Sequence, residues 1–481
     1  MKRLVALAVA VAALMLPALA LAFDNLEPLA AKQWYLGQDN AWTYWPAEPE
    51  LAPVDVAVID SGIDGSHPEF VGRIAAAKSF VGGSPYQDDQ GHGTFVAGEI
   101  AASPFNGVGI AGIAFNAHLL IAKVVEPDGT VSLQGEVAAI RWAVAKGARV
   151  INLSLGGVRD PLNPRLDTYS PLEQAAVEYA YSKGVVVVAA VGNGTQSPST
   201  PWPFAHYPAA LPHVIGVSAL RRDGSVPDYS NRDSVYVDVA APGDGIFSTI
   251  PRALQTAGCA DGPYSSCGPP EFRDAIGTSF AAPQVSAAAA LLIGQVPSLT
   301  ATQVAWLLER SAVDENTGDG CGACPAGRDA LTGWGRLDVD AALTMATDGT
   351  PLPATDALEP NDDTGPLSHV LPPLPRTVAA TLDYWDDDMD VYRVTLRRGQ
   401  TLYARLTPGA AAKTTLALWR PATPRLEHAT SADLATGDHV VAGQQRLAFR
   451  ADRTGTYYLE AKLLTETQAP LPYRLAVARS R

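Results

Sequence analysis

Three short segments carry side chains that could together perform nucleophilic catalysis. Asp60 ends an apolar run, His92 lies between two glycines, and Ser279 opens a long apolar stretch with helical character. A serine hydroxyl is a weak nucleophile that needs a neighbouring base, and the base needs an acid that fixes its tautomer and stabilises the imidazolium. The residues therefore predict a hydrolase in which Asp60 orients His92 and His92 takes the proton from Ser279.

A fourth segment supplies a donor for the negative charge that develops during acyl transfer. Asn193 follows a buried apolar run and is flanked by Gly192 and Gly194. An oxyanion needs preorganised hydrogen-bond donors. We expect the Asn193 side-chain amide and the backbone N–H of Ser279 to provide them, since Ser279 lies at a predicted helix start with unpaired N–H groups.

Strands and helices alternate around these segments over residues 50–345. The predicted strands are rich in β-branched residues and apolar on both faces, as parallel strands covered by helices are. They are Val54–Ile59, Leu119–Val125, Val150–Ser154, Val185–Ala190 and Val214–Val217. Two helical stripes lie between them, one around Ile140 and one around Ala176. The pattern predicts an α/β domain over residues 23–345, a mostly parallel sheet with helices on both faces.

The character of the sequence changes after residue 345. Residues 346–375 are rich in proline and predict a linker. Beyond them apolar and polar residues alternate with period two, for example from Tyr392 to Arg397. This alternation predicts a small all-β antiparallel sandwich over residues 376–481.

The N-terminus predicts export. Lys2 and Arg3 precede an apolar run from Leu4 to Ala22 that ends in small residues. This pattern is typical of a secretory signal peptide over residues 1–22, and it predicts a secreted protein, extracellular or periplasmic, without stable membrane association after cleavage. The alternative is an uncleaved anchor, because the run nearly spans a bilayer.

The charge balance argues against nucleic acid as a partner. The 481 residues include 35 Lys and Arg against 50 Asp and Glu, a formal net charge of −15. Binding to phosphates needs clustered basic residues, and the sequence has no such block.

Four cysteines are present, and an even number in an exported chain indicates disulfides. Local pairing, Cys259 with Cys267 and Cys321 with Cys324, is the simplest of the three connectivities. A zinc site at Cys321 and Cys324 is the alternative, because two residues separate them.

The four segments around Asp60, His92, Asn193 and Ser279 resemble the motifs of the subtilisin-like serine peptidases, in the same order along the chain. The resemblance implies a subtilisin-like fold and a serine endopeptidase that cleaves protein or peptide substrates through a Ser279 acyl-enzyme. It also implies which residues line the pocket for the substrate side chain before the cut: Ser154, Leu155, Gly156, Gly157, Ala189, Ala190 and Val191. These offer no carboxylate, which favours an apolar or broad preference.

The C-terminal region resembles the bacterial pre-peptidase C-terminal domain at residues 359–362 and at Asp388, Asp390 and Tyr392. This likeness implies a bacterial origin, with substrate attachment or removal during maturation as the roles of the domain.

No organic cofactor is expected. The family resemblance implies calcium as a structural ion. Acidic residues at 314–319 and 383–390 offer oxygen ligands. Neither run has EF-hand spacing, which favours solvated acidic loops, so no metal ligand is assigned.

The sequence leaves two alternative functions. A lipase or esterase would show Gly-x-Ser-x-Gly and the order Ser, acid, His, which this chain lacks. A binding or adhesion protein that acts through its C-terminal region is the second alternative.

Overall fold

The computed structural model describes residues 23, 26–254, 264–267, 271–318, 320–354, 356–385, 387–441, 443–467 and 470–480. The predicted signal peptide, residues 1–22, and the predicted partner Cys259 lie outside these ranges. Cys321 and Cys324 form a disulfide, which is the local pairing that the sequence predicted for them.

A parallel sheet organises the first part of the chain. Among the described residues it has seven strands, in the order β2-β3-β1-β4-β5-β6-β7. Their bounds are β1 Val54–Asp60, β2 Ile74–Ser79, β3 Ala117–Lys123, β4 Val150–Leu153, β5 Val186–Ala190, β6 Val214–Leu220 and β7 Val239–Pro242. β1, β4, β5 and β6 are buried almost throughout because helices cover both faces of the sheet.

The helices of this part are α1 Trp34–Gln38, α2 His92–Ala101, α3 Leu133–Lys146, α4 Pro171–Tyr181, α5 Ala282–Gln295, α6 Ala301–Arg310 and α7 Val339–Met345. α2 and α5 pack against one face of the sheet, and α3 and α4 pack against the other. Capping serines begin α3 and α4: Ser132 accepts from the Gly135 N–H and Ser170 from the Glu173 N–H. The predicted α/β fold with helices on both faces is confirmed.

A smaller antiparallel sheet leads to the start of α5. It consists of β8 Asp244–Thr249, β9 Tyr264–Cys267 and β10 Phe272–Ile276, with β10 in the middle. β10 ends directly before Gly277. The position of this sheet therefore determines where the segment that carries Ser279 lies.

The C-terminal region is all β, as the period-two pattern predicted. Its strands are β11 His369–Val370, β12 Arg376–Leu382, β13 Met389–Leu396, β14 Thr401–Pro408, β15 Thr414–Trp419, β16 Leu434–Gly437, β17 His439–Val441, β18 Gln444–Arg450, β19 Gly455–Leu463 and β20 Leu471–Arg479. In the described residues they form two sheets, β11-β13-β19-β15-β16 and β12-β20-β14-β18-β17, antiparallel apart from the β11–β13 pair. One apolar core lies between the sheets.

The β-sandwich, residues 369–480, packs against the α/β domain. Trp385 of the sandwich meets Trp334 edge to face, with ring centroids 6.2 Å apart. Arg159 of the α/β domain pairs with Glu427 of the sandwich. Within the Pro-rich segment 346–375, Asn361 and Asp362 are buried, so part of that segment is packed against its surroundings. Among the helices that the structure describes, none has the length and apolar character needed to cross a membrane.

Candidate active site

Asp60 and His92 meet where β1 ends and α2 begins. Asp60 is the last residue of β1 and His92 the first of α2. His92 Nδ1 lies 2.9 Å from each carboxylate oxygen of Asp60, and Asp60 is only 2 % exposed. This contact fixes Nδ1 as the protonated nitrogen and leaves Nε2 as the basic one.

Asp88 holds the start of α2 in place. It is buried and accepts from the Gly91 N–H at 2.8 Å, from the Thr94 N–H at 2.8 Å and from the Ser61 hydroxyl at 2.7 Å. These bonds satisfy N–H groups that a helix start otherwise leaves unpaired. Asp88 therefore tethers the turn that carries His92 to the residue after Asp60.

The electrostatics of this pair favour a protonated imidazole. Burial disfavours the charge, but the charge of Asp60, its hydrogen bond and the charge of Asp88 outweigh burial and raise the pKa of His92 above its ordinary value.

Ser279 lies in a short 3-10 helix, Thr278–Phe280, that leads into α5. Gly277 precedes it with φ +145°, a backbone conformation that residues other than glycine rarely adopt. Ser279 Oγ donates to the Ser154 carbonyl at 3.2 Å, and Ser154 Oγ donates to the Ser279 carbonyl at 2.8 Å. In the part of the chain that the structure describes, Ser279 Oγ makes no hydrogen bond to His92.

Asn193 is oriented by the residue before Ser279. Its Oδ1 accepts from the Thr278 N–H at 3.0 Å. Because a backbone N–H can only donate, the oxygen of the amide must face Thr278 and Nδ2 must point elsewhere. Among the residues that the structure describes, the Ser279 N–H has no backbone acceptor. The Ser279 N–H is thus available to another acceptor, and Asn193 lines the same cleft.

These groups share one cleft of about 300 Å³, which is lined by Asp60, His92, Asn193 and Ser279. The predicted pocket residues divide into two sets. Ser154, Leu155, Gly156 and Ala190 line the cleft. Ala189 and Val191 are fully buried, and Gly157 exchanges two 2.9 Å backbone hydrogen bonds with Tyr207.

Several residues that line the cleft were not among the site residues predicted from the sequence. They are Ser61, Gln90, Val125, Gly129, Val131, Gly192, Gln196, His206, Thr278 and Phe280. His206 is 3 % exposed and lies 2.8 Å from the Ser197 hydroxyl through Nε2. Burial lowers the pKa of His206 to about 4, so the ring is neutral at neutral pH. No local sequence signal separates it from an ordinary core histidine.

Two phenylalanines pack behind the imidazole. The rings of Phe95 and Phe280 are 4.5 Å apart, and the Phe280 ring lies 5.4 Å from that of His92. Phe280 covers one side of the His92 ring, and Phe95 supports Phe280 from behind.

Comparison with known proteins identifies the family. The model of the subtilase family matches residues 53–335, more than half of the chain. This chain belongs to the subtilase family. The match covers most of the α/β domain, including the segments around Asp60, His92, Asn193 and Ser279.

Individual subtilases align over the same region. Subtilisin E of Bacillus subtilis is 39 % identical over 261 residues, 54 % of this chain and 60 % of that protein. Thermitase of Thermoactinomyces vulgaris is 36 % identical over 267 residues, 55 % of this chain and 82 % of that protein. The chain thus spans about three-fifths of the length of subtilisin E. A solved structure of a protease from Pseudoalteromonas arctica PAMC 21717 matches with a TM-score of 0.53 and 26 % identity, covering 67 % of this chain and 99 % of that one.

Two groups of side chains that could hold a metal lie outside the cleft. In the described part of the chain they are Glu178, His213 and Asp362, and Glu359, Asp387 and Asp390. Asp390 is fully buried, so the expectation of a solvated loop was wrong for this residue. In the acidic run at residues 314–319, Glu315 forms an ion pair with Arg336, whose Nε lies 2.6 Å from a carboxylate oxygen of Glu315. Asp319 lies outside the described residues.

Proposed function

We propose that this chain is a secreted serine endopeptidase with Asp60, His92 and Ser279 as its catalytic triad. The observation that carries the proposal is the pairing of His92 with a buried Asp60 in the same cleft as Ser279. Peptidase chemistry fits the family to which the chain belongs.

The first half of the reaction forms the acyl-enzyme. His92 Nε2 takes the proton of Ser279 as Oγ attacks the scissile carbonyl carbon, and Asp60 stabilises the imidazolium. The carbonyl oxygen becomes an oxyanion, which accepts from Asn193 Nδ2 and the Ser279 N–H. His92 then protonates the leaving amine, and the peptide bond breaks.

The second half releases the acyl group. Water gives a proton to His92 and attacks the ester carbonyl through a second oxyanion held by the same donors. Collapse of this intermediate returns the proton to Ser279 Oγ. These steps are complete with the side chains of this chain, and no organic cofactor takes part.

The cleft favours an apolar or broad range of substrate side chains over cationic ones. Of the seven predicted pocket residues, those on its surface are Ser154, Leu155, Gly156 and Ala190. None carries a charge, and His206 is neutral. An apolar or broad preference follows, with proteins or peptides as substrates.

The remaining assignments keep the boundaries derived from the sequence. Residues 1–22 serve as the signal peptide, 23–345 as the peptidase domain, 346–375 as the linker and 376–481 as the C-terminal domain. The mature protein is extracellular or periplasmic, without stable membrane association, and it has no nucleic-acid partner.

Replacement of the nucleophile tests the proposal. Ser279→Ala should abolish peptide cleavage and covalent labelling by a fluorophosphonate, because no other hydroxyl can replace Oγ. Its melting temperature should change little, since one hydrogen bond is worth about 1 kcal/mol. Ser182→Ala, at the exposed end of α4, is the control and should keep both properties. Cleavage by pure Ser279→Ala protein would refute the assignment.

The oxyanion assignment has its own test. Asn193→Ala should reduce kcat by about 10²–10³ with little change in KM, the size established for the corresponding loss in subtilisin itself. The reason is that the amide binds charge that exists only in the transition state. Steady-state kinetics on a peptide substrate measures both constants, and an unchanged kcat would exclude the role.

A further inference from the structure

One sheet of the β-sandwich carries positive charge alone. It consists of β12, β20, β14, β18 and β17, and these strands, as the structure describes them, contain no aspartate or glutamate. Apart from His439, the residues of these strands that can carry charge at neutral pH are all arginines: Arg376, Arg405, Arg446, Arg450, Arg474 and Arg479. The strands are separated in the sequence, so the fold gathers a basic surface in a chain whose net charge is −15.

The outer face of this sheet points away from the core of the sandwich. Side chains of β14 alternate between that core and solvent, and Tyr403 and Arg405 are on the solvent side. Arg446 of β18 and Arg474 of β20 are exposed on the same face. In the described part of the chain, no hydrogen bond or ion pair joins these four side chains to the α/β domain.

Two of the arginines are direct neighbours across the sheet. Arg405 and Arg446 are paired in the ladder between β14 and β18, and His439 follows Arg446 in the same row. The Cβ atoms of directly opposed residues are about 5 Å apart, and like charges in such a pair destabilise a sheet. Neither guanidinium forms an ion pair with an acid among the described residues, and Arg446 donates to Gln444 Oε1 at 3.4 Å. An anionic group bound between the two guanidiniums would remove their repulsion.

A groove of about 520 Å³ runs over the same row. Arg405, Arg446 and His439 line it together with Tyr403. Tyr403 lies opposite alanines on both neighbouring strands, so no large side chain flanks its ring there, and it is 52 % exposed. The rest of the groove includes small side chains: Thr377, Ala448, Ala476 and Ala478. The groove therefore combines a flat floor, one exposed aromatic ring and cationic side chains.

This combination matches an acidic sugar polymer. A pyranose ring has flat CH faces, which pack on an exposed aromatic ring as other apolar surfaces do. A guanidinium binds a carboxylate through two parallel hydrogen bonds. A uronic acid carries both features, so it can place its ring on Tyr403 and its carboxylate at Arg405 or Arg446.

Two other classes of anionic polymer fit the face less well. An acidic peptide that extends a sheet needs an unpaired strand edge, whereas β14 is bonded to β18 on one side and to β20 on the other. Single-stranded nucleic acid stacks successive bases on several aromatic rings. Within the described strands of this sheet, Tyr403 is the one aromatic side chain that is largely exposed.

We propose that the outer face of this sheet, centred on Tyr403, Arg405 and Arg446, binds a polysaccharide that carries carboxylate groups. Binding there holds the chain on a polymer of this kind. The groove shares no residue with the catalytic cleft. The proposal goes beyond the proposed function, and it is tested without catalysis, so a failure of one leaves the other standing.

Binding of polygalacturonate by the full chain is the direct test. Ser279→Ala protein, which prevents self-digestion under the proposed function, is titrated with polygalacturonate in a calorimeter at low ionic strength, with a chelator present. The matched control ligand is the same polymer with its carboxylates methyl-esterified. It keeps the sugar rings and should bind at least about 10-fold more weakly, because the charge-assisted hydrogen bonds are lost. Added salt should weaken binding of polygalacturonate.

Substitutions on the face locate the site. Arg405→Gln and Arg446→Gln, each in the Ser279→Ala background, should weaken binding of polygalacturonate by about 10-fold, since each removes a charged donor. Their melting temperatures should stay equal or rise, because one of two opposed like charges is gone. Tyr403→Ala should also weaken binding, whereas Tyr403→Phe keeps the ring and should bind like the parent. Arg398→Gln, on an exposed turn of the same sandwich, is the matched control and should bind like the parent.

Three results would overturn the proposal. Equal affinity for the charged and the esterified polymer would exclude recognition of carboxylates by arginine. Equal affinity of the parent, Arg405→Gln and Arg446→Gln would exclude this face. Binding of polyglutamate or single-stranded oligothymidylate as tight as that of polygalacturonate, and lost in Arg405→Gln, would show that the partner is not a polysaccharide.

Discussion

At the scale of single residues, the position of His92 depends on two buried acids with different tasks. Asp60 contacts the imidazole directly, whereas Asp88 binds the backbone on either side of it, at Gly91 and Thr94. Asp88 is a positioning residue, and its charge also contributes to the raised pKa of His92.

Asp88→Asn should therefore move the acid limb of the pH–activity profile. His92 acts as a base only when Nε2 is unprotonated, so its raised pKa places the limb of kcat/KM above pH 6.5, the ordinary value. Removal of the Asp88 charge should shift the limb to lower pH. The single asparagine oxygen can still accept from the Gly91 N–H or from the Thr94 N–H, but not from both. The profile of kcat/KM against pH measures the shift.

Asp89→Asn is the control for this prediction. Asp89 is 38 % exposed and pairs with Lys123 at 3.3 Å. Its loss removes the same charge one residue along the chain and should leave the limb in place. If the acid limb of Asp88→Asn stays at the same pH, the charge of Asp88 does not act on His92, and Asp88 only positions the imidazole.

At the scale of elements, α3 and α4 carry a buried pair of carboxyl groups at their contact. Glu136 and Glu173 are 3 % and 5 % exposed. Burial and the charge of Glu173 raise the pKa of Glu136 well above its usual range, and burial raises the pKa of Glu173 to about 7. The two groups keep a proton in the folded protein that they lose in the unfolded chain.

This pair should make stability fall with rising pH. A carboxyl group with a raised folded pKa contributes stability below its unfolded pKa of 4.5, and that contribution is lost as pH rises through about 7. Glu136→Gln should remove the repulsion and stabilise the fold by about 1–3 kcal/mol above pH 7, with little effect near pH 4.5. Denaturant unfolding of the Ser279→Ala background at both pH values measures this difference. Glu48→Gln, at an exposed position, keeps the buried pair and should lose stability with rising pH as the Ser279→Ala background does. An equal loss in Glu136→Gln and in that background would reject the explanation.

At the scale of the whole molecule, an arginine of the β-sandwich contacts two tyrosines of the α/β domain. The Arg425 guanidinium lies 3.8 Å from the ring centre of Tyr169 and 3.5 Å from the Tyr207 hydroxyl. It is held by Asp363 at 3.1 Å. Tyr207 in turn bonds the backbone of Gly157, so the sandwich supports a segment adjoining the cleft.

Arg425→Ala should loosen the sandwich from the α/β domain. Loss of the stacked and ion-paired guanidinium should cost about 1–3 kcal/mol of docking free energy. Faster cleavage of residues 346–358 by an added protease, in the Ser279→Ala background, measures the change. Arg398→Ala, on an exposed turn of the sandwich, should be cleaved like the parent. Equal rates for Arg425→Ala and the parent would contradict a role in docking.

The sequence alone determined the features that are encoded locally. Strands apolar on both faces require a covered parallel sheet, so β1, β4, β5 and β6 were predicted within a few residues. Period-two alternation likewise requires a sheet with one covered face, which predicted the C-terminal sheets. Glycines near His92, Asn193 and Ser279 indicated tight turns beside side chains that could perform chemistry. The order of these side chains along the sequence indicated the family.

Only the tertiary structure decided which distant side chains share an environment. The acidic residues of 383–390 look alike in the sequence, but Asp388 pairs with Lys462 near solvent while Asp390 is buried beside Tyr392 and Tyr473. Likewise, nothing local distinguishes His206, which lines the cleft, from His213, which faces the sandwich. Burial and charge balance depend on which surfaces meet across the fold, and a period along the chain carries no information about that.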